Sequence, residues 1–108
     1  LYSPISLQLF QSQIFFMMYN KYMDINELIA IVKKKLTDQI NIESIEIEDK
    51  SFLHKNHAGN QEGKFHLKIS LISSELKIMN KIESNKKIYK ILDKEMKESI
   101  HSIQILIS

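Results

Sequence analysis

Residues 42–71 read IESIEIEDKSFLHKNHAGNQEGKFHLKISL, and their pattern decides the fold. In 42–49, Ile45 and Ile47 alternate with Ser44, Glu46 and Glu48, the period of a half-buried strand. The alternation returns after a gap: Phe65, Leu67, Ile69 and Leu71 are expected inward, His66, Lys68 and Ser70 outward, and His66 is given no role. Between the runs lies a polar stretch, 49–65, which holds both glycines (Gly59, Gly63) and two of the four histidines, His54 and His57. A loop of about fifteen residues is long for a hairpin, and loops of that length are usually functional or disordered.

Working outward, Asp24 followed three residues later by Glu27 reads as a capping box opening a helix. Ile25, Leu28, Ile29, Val32 and Leu36 then repeat at helical spacing, and Lys33, Lys34 and Lys35 suit the negative end of the helix dipole. Downstream, Leu76, Met79 and Ile82 predict a short helix within 73–82. Ser84 reads as the cap of a longer helix with a buried stripe of Ile88, Ile91, Leu92 and Met96, bordered by Tyr89. Residues 101–108 alternate once more through Ile103, Ile105 and Ile107, a third strand. His101 shares their parity, so on pattern alone it reads as a core histidine. The order is α-β-β-α-α-β, an α+β domain with a three-stranded sheet packed against helices.

The chain is long enough for one core and shows no internal repeat or linker. It has no cysteine, which excludes disulfides, thiolate zinc sites and cysteine nucleophiles. All fifteen basic residues are lysine and the net charge is only +2, so composition singles out neither nucleic acid nor a membrane as partner. Residues 1–23 do not match the rest: they are apolar but interrupted by Pro4, Gln8, Gln11, Ser12 and Gln13. They lack the basic start and cleavage site of a signal peptide and contain no 18-residue apolar run. The expectation is a disordered tail or over-extended start at 1–23, with a partner-docking or targeting segment as the alternative, and a folded domain at 24–108.

Several short motifs fall in one order: Asp49-Lys50-Ser51, His54 three residues later, and His57-Ala58-Gly59. Lys64-Phe65 opens the second strand, Ser73 ends it, and Ile88-Tyr89 and Ile100-His101-Ser102-Ile103 follow. Together they resemble the BolA family, over residues 24–108. The resemblance implies an αββααβ fold like a class II KH domain. It also implies a monothiol glutaredoxin as partner, with a 2Fe–2S cluster shared between the two proteins. By motif, the ligands carried over are His101 and a loop histidine. That loop ligand is His54 counted from Asp49-Lys50-Ser51, or His57 counted from His57-Ala58-Gly59; His54 is preferred. The family's basic Arg-His-Arg triplet is replaced here by Ser84, Asn85 and Lys86, and its histidine before the phenylalanine by Lys64. The surface proposed to meet partners or nucleic acid is thereby reduced to Lys81, Lys86, Lys87 and Lys90.

Imidazole suits iron, and histidine in place of thiolate raises a 2Fe–2S centre's potential. Two histidines cannot complete such a cluster, so the resemblance assigns the remaining donors to the glutaredoxin's cysteine and to glutathione. The isolated protein is then expected to carry no cofactor, to be monomeric and cytoplasmic, and to have no membrane partner. A zinc site from His54, His57 and His101 falls short of four ligands. The competing reading is a nucleic-acid-binding transcription regulator, with DNA as partner. Against it, the interhelical stretch 80–87 has no glycine for the GXXG loop of a KH domain. An enzyme is the least favoured class, since no nucleophile, phosphate loop or acid/base pair stands out.

Overall fold

A computed structural model describes residues 24–51 and 64–108. Loop histidines His54 and His57, and the segment 1–23, lie outside the described residues. The elements are α1 (Ile25–Gln39), β1 (Ser44–Asp49), β2 (Phe65–Ile72), α2 (Ser74–Lys77), α3 (Lys81–Ile91), α4 (Asp93–Glu98) and β3 (Ile100–Ile107). This is the expected α+β order, with the longer third helix divided in two.

Asp24 opens α1, its carboxylate accepting the Asn26 N–H at 3.2 Å. Leu28, Val32 and Leu36 form its buried stripe. The helix runs on to Gln39, so the three lysines do not stand in its last turn as expected. Instead Lys34 pairs with Asp38 and Lys35 grips both oxygens of Glu95 on α4, at 2.7 and 3.0 Å. Ser73 stops β2 and caps α2: its hydroxyl accepts from the Leu76 N–H and donates to the Asn41 carbonyl. That helix ends at Lys77, not near Ile82, which is 69% exposed outside any apolar stripe.

The cap of α3 is Asn80, not Ser84. The Asn80 side chain accepts the Glu83 N–H at 2.8 Å, one turn earlier than expected, and Ser84 is buried inside the helix. Two polar capping residues four apart compete for the same role, and the earlier one gives the helix an extra turn. Ile88 and Leu92 are buried, with Ile91 and Met96 packed against them. At Leu92 the backbone leaves the helical region (φ −96°, ψ 19°), which separates α3 from α4.

The sheet order is β1-β2-β3, antiparallel between β1 and β2 and parallel between β2 and β3. Leu67, Ile69 and Leu71 of the central strand meet Leu28, Val32, Leu36, Leu76, Ile88 and Leu92 in one core. Alternation leaves the opposite sheet face mostly polar, with Glu46, Glu48, His66, Lys68, Ser102 and Gln104, and with Ile72 and Leu106 exposed at its far end. No described helix is long and apolar enough to cross a membrane.

Candidate functional site

The β2–β3 ladder is irregular at one place. Phe65 pairs with Ile100 and Leu67 with Ile103, yet His66 pairs with Ser102. Two residues of β3 therefore oppose one of β2, and His101 is the extra residue of a β-bulge. The bulge resets the parity of the strand. Ile100 is buried and Ile103, Ile105 and Ile107 pack against the core, while His101 is exposed. The core-histidine reading of His101 is thereby overturned: its expected partners in alternation stay inward, and it does not.

His66 departs from expectation in the other direction. It lies on the polar face but is only 5% exposed. Its Nδ1 and the Ser102 Oγ directly across the ladder share a hydrogen bond of 2.7 Å. Its ring also sits against that of His101, centroids 4.8 Å apart and planes tilted by 58°. Nothing in the alternating sequence marks His66 for burial, because the signal is a cross-strand pairing created by the bulge.

The base of the long loop is tied to the same corner. The Asp49 carboxylate accepts the Ser51 N–H at 2.9 Å, a local turn of the kind aspartate favours. The Ser51 hydroxyl accepts the His66 N–H at 3.1 Å, and the Lys50 N–H donates to the His66 carbonyl at 2.7 Å. The Asp49-Lys50-Ser51 motif thus has a physical task, which is to fasten the loop's first residues to β2 beside His101. An open depression of about 240 Å³ adjoins, lined by Lys50, His66, Lys68, Ser102 and Gln104 among others. Both lysines pair with one carboxylate, Glu48, at 3.3 and 3.9 Å.

The lysine surface is elsewhere. Lys81, Lys86 and Lys90 are exposed on α3, whereas Lys87 is bonded to Glu75 at 2.9 Å. That contact holds the Glu75 carboxyl below its ordinary value. Lys81 borders a groove of about 580 Å³ formed with Leu76, Met79, Ile105 and Ile107 at the far end of β3. Ile107 lies six residue steps along the strand from His101, about 20 Å. The true interhelical turn, Ile78 to Asn80, contains no glycine either.

A family model described as BolA-like protein matches residues 36–108. A curated relative, the DNA-binding transcriptional regulator BolA of Haemophilus influenzae, is 27% identical over 75 residues, covering 69% of this chain and 70% of that protein. The SufE-like protein 1, chloroplastic/mitochondrial, of Arabidopsis thaliana is 24% identical over 80 residues, which is 69% of this chain but only 22% of that longer protein. Among solved structures, the BolA domain of SufE1 from Arabidopsis thaliana superposes with a TM-score of 0.62 at 23% identity, covering 73% of this chain and 87% of that one. This last likeness shows the fold.

Proposed function

The chain belongs to the BolA-like family, and from that premise we propose that it is a non-enzymatic adaptor for a monothiol glutaredoxin. The pair shares a 2Fe–2S cluster, in iron–sulfur trafficking or iron-linked regulation. The observation that carries this reading is His101, an exposed imidazole turned out of the sheet at the corner where the long loop is fastened. An imidazole so presented can donate a nitrogen to iron held by another molecule, and imidazole is a suitable iron ligand.

The donor set fits a shared cluster. Among the described residues no group of three or more His, Cys, Asp or Glu could hold a metal ion; in this reading His101 contributes one donor to a site completed from outside them. In this reading the second is His54 or His57, and the others are the glutaredoxin's cysteine and glutathione. When bound, such a cluster with histidine ligation supplies one-electron chemistry at a raised potential. His54 is preferred by its count from Asp49-Lys50-Ser51, with His57 as the alternative counted from His57-Ala58-Gly59. The protein is then cytoplasmic, and monomeric when free.

The test is reconstitution with a monothiol glutaredoxin, glutathione, iron and sulfide. The expected product is a heterodimer whose visible circular dichroism differs from that of the glutaredoxin alone. A chain that neither co-elutes with the glutaredoxin nor changes its cluster spectrum refutes the reading. Comparing His54→Ala with His57→Ala then identifies the loop ligand.

A second reading has its own support. The Haemophilus relative carries DNA binding in its name, and Lys81, Lys86 and Lys90 are exposed on one helix. DNA bound through these three lysines would weaken with salt at a log–log slope of about −3. A flat or absent slope with labelled duplex removes this reading.

A further inference from the structure

Resting on His101 as the iron ligand, we propose that His66 is its positioning residue: ring packing from His66 holds the His101 imidazole in one orientation. Ser102 fixes the His66 ring in turn. His66 makes no contact with the cluster in this proposal and acts only through His101.

Three features of the corner carry the inference. First, the bulge gives His101 no partner residue across the ladder, so pairing with β2 does not orient its side chain. An exposed side chain of this kind samples several staggered rotamers unless something packs against it. Second, the His66 ring does pack against it, at a centroid distance of 4.8 Å and a tilt of 58°, within the range of favourable aromatic pairs. Third, His66 is itself held from two sides. Its backbone is bonded to Lys50 and Ser51, and its ring is bonded to Ser102. A buttress must be fixed more firmly than what it supports, and the burial of His66 beside the exposed His101 meets that condition.

The consequence is preorganisation. A ligand that must be ordered on binding gives up part of its affinity to the ordering, whereas one already held does not. Residues that orient a metal-ligating histidine commonly matter to affinity by about 10–100-fold.

The first measurement uses the free protein with ¹³C-labelled histidine and reads the His101 χ1 couplings by NMR, at one pH. The wild-type chain is expected to show one dominant rotamer. His66→Ala should average the couplings, His66→Phe should restore a single rotamer through its ring, and Ser102→Ala should fall between. A single His101 rotamer persisting in a folded His66→Ala, or averaging already in the wild type, overturns the proposal. If His66→Ala does not fold, Ser102→Ala decides, because Ser102 is exposed: unchanged couplings overturn the proposal, and partial averaging supports it.

The second measurement is cluster retention in the glutaredoxin heterodimer, where His66→Ala should weaken retention by about tenfold or more and His66→Phe should not. Equal losses in both variants would contradict a role through ring packing. The NMR readout needs neither iron nor glutaredoxin. A failure of His101 as ligand would appear only in the heterodimer, and a failure of His66 as buttress would appear in the free protein.

Discussion

At its first residues β3 carries a bulged polar corner, whereas its last residues border an apolar groove, and the two ends are secured differently. The corner is held by hydrogen bonds that cross from Ser102, Lys50 and Ser51 to His66, and from the Phe65 N–H to the Ser99 carbonyl. The groove end is closed by the Ser108 N–H donating to Leu71 and by side chains of α2 and the α2–α3 turn. Ile78 there stands 88% exposed. The corner therefore presents donor atoms in defined places, while the groove presents apolar surface beside lysines. What the difference teaches is that the two functional readings occupy different ground. The proposed cluster binding would use the corner and the alternative phosphate binding would use α3 near the groove, so single substitutions can separate them.

The largest effect tests what the two ends share. Ile69 is fully buried in the middle of β2, and Ile69→Ala should cost about 2–5 kcal/mol. The fall in urea midpoint should be accompanied by loss of amide protection at both ends. Protection lost at one end alone would mean that the ends do not rest on a common core.

A smaller loss sharpens the corner's side of the comparison. Lys35→Met leaves the nearly buried Glu95 carboxylate without its bidentate partner, just ahead of β3, and should cost about 1–3 kcal/mol. Adding Glu95→Leu should recover much of this in thermal unfolding, since a buried ion pair is replaceable by apolar packing. A double variant worse than the single would contradict that account.

Ser51→Ala should cost about 1 kcal/mol and act locally. Hydrogen exchange at the His66 amide should quicken, while the Ser73 and Ser108 amides at the groove end stay unchanged. Equal acceleration at both ends would break the distinction.

The smallest effect lies at the groove end and depends on pH. The Lys87 ammonium bonded to Glu75 lowers that carboxyl's pKa, and the Ser74 hydroxyl bonded to Glu43 does the same there. A carboxyl with a depressed folded-state pKa contributes stability that is present above its unfolded-state value. That stability is lost as the pH falls through the folded-state value. Glu75→Gln should therefore flatten the acid side of the melting-temperature profile, below the ordinary carboxylate range, and leave exchange at the His66 amide unchanged. An identical acid limb in wild type and variant would remove this contribution.

Much of the fold was legible because its signals are periodic. Leu28, Val32 and Leu36 fall on one helical stripe, and Leu67, Ile69 and Leu71 on one strand face, so the core could be read from spacing. The helix joins were less legible. Asn80 followed by Glu83 is as good a start signal as Ser84, and no glycine or proline marks the break at Leu92. The site was legible only through motif resemblance, because its geometry depends on a bulge. His101, Ile103, Ile105 and Ile107 alternate without interruption, and only the pairing of His66 with Ser102 shows that His101 has left that series. The same event hid His66, whose burial comes from a ring and a hydroxyl across the ladder rather than from hydrophobicity.

The central claim is that the bulge presents His101 to a cluster shared with another protein. It is tested most directly by reconstituting the glutaredoxin pair with His101→Ala. This substitution removes an exposed side chain and its ring contact with His66, and should change stability by about 1 kcal/mol or less. The prediction is a folded variant whose mixture with glutaredoxin and iron shows only the spectrum of the glutaredoxin's own cluster. A wild-type heterodimer spectrum, retained with wild-type affinity, would contradict it.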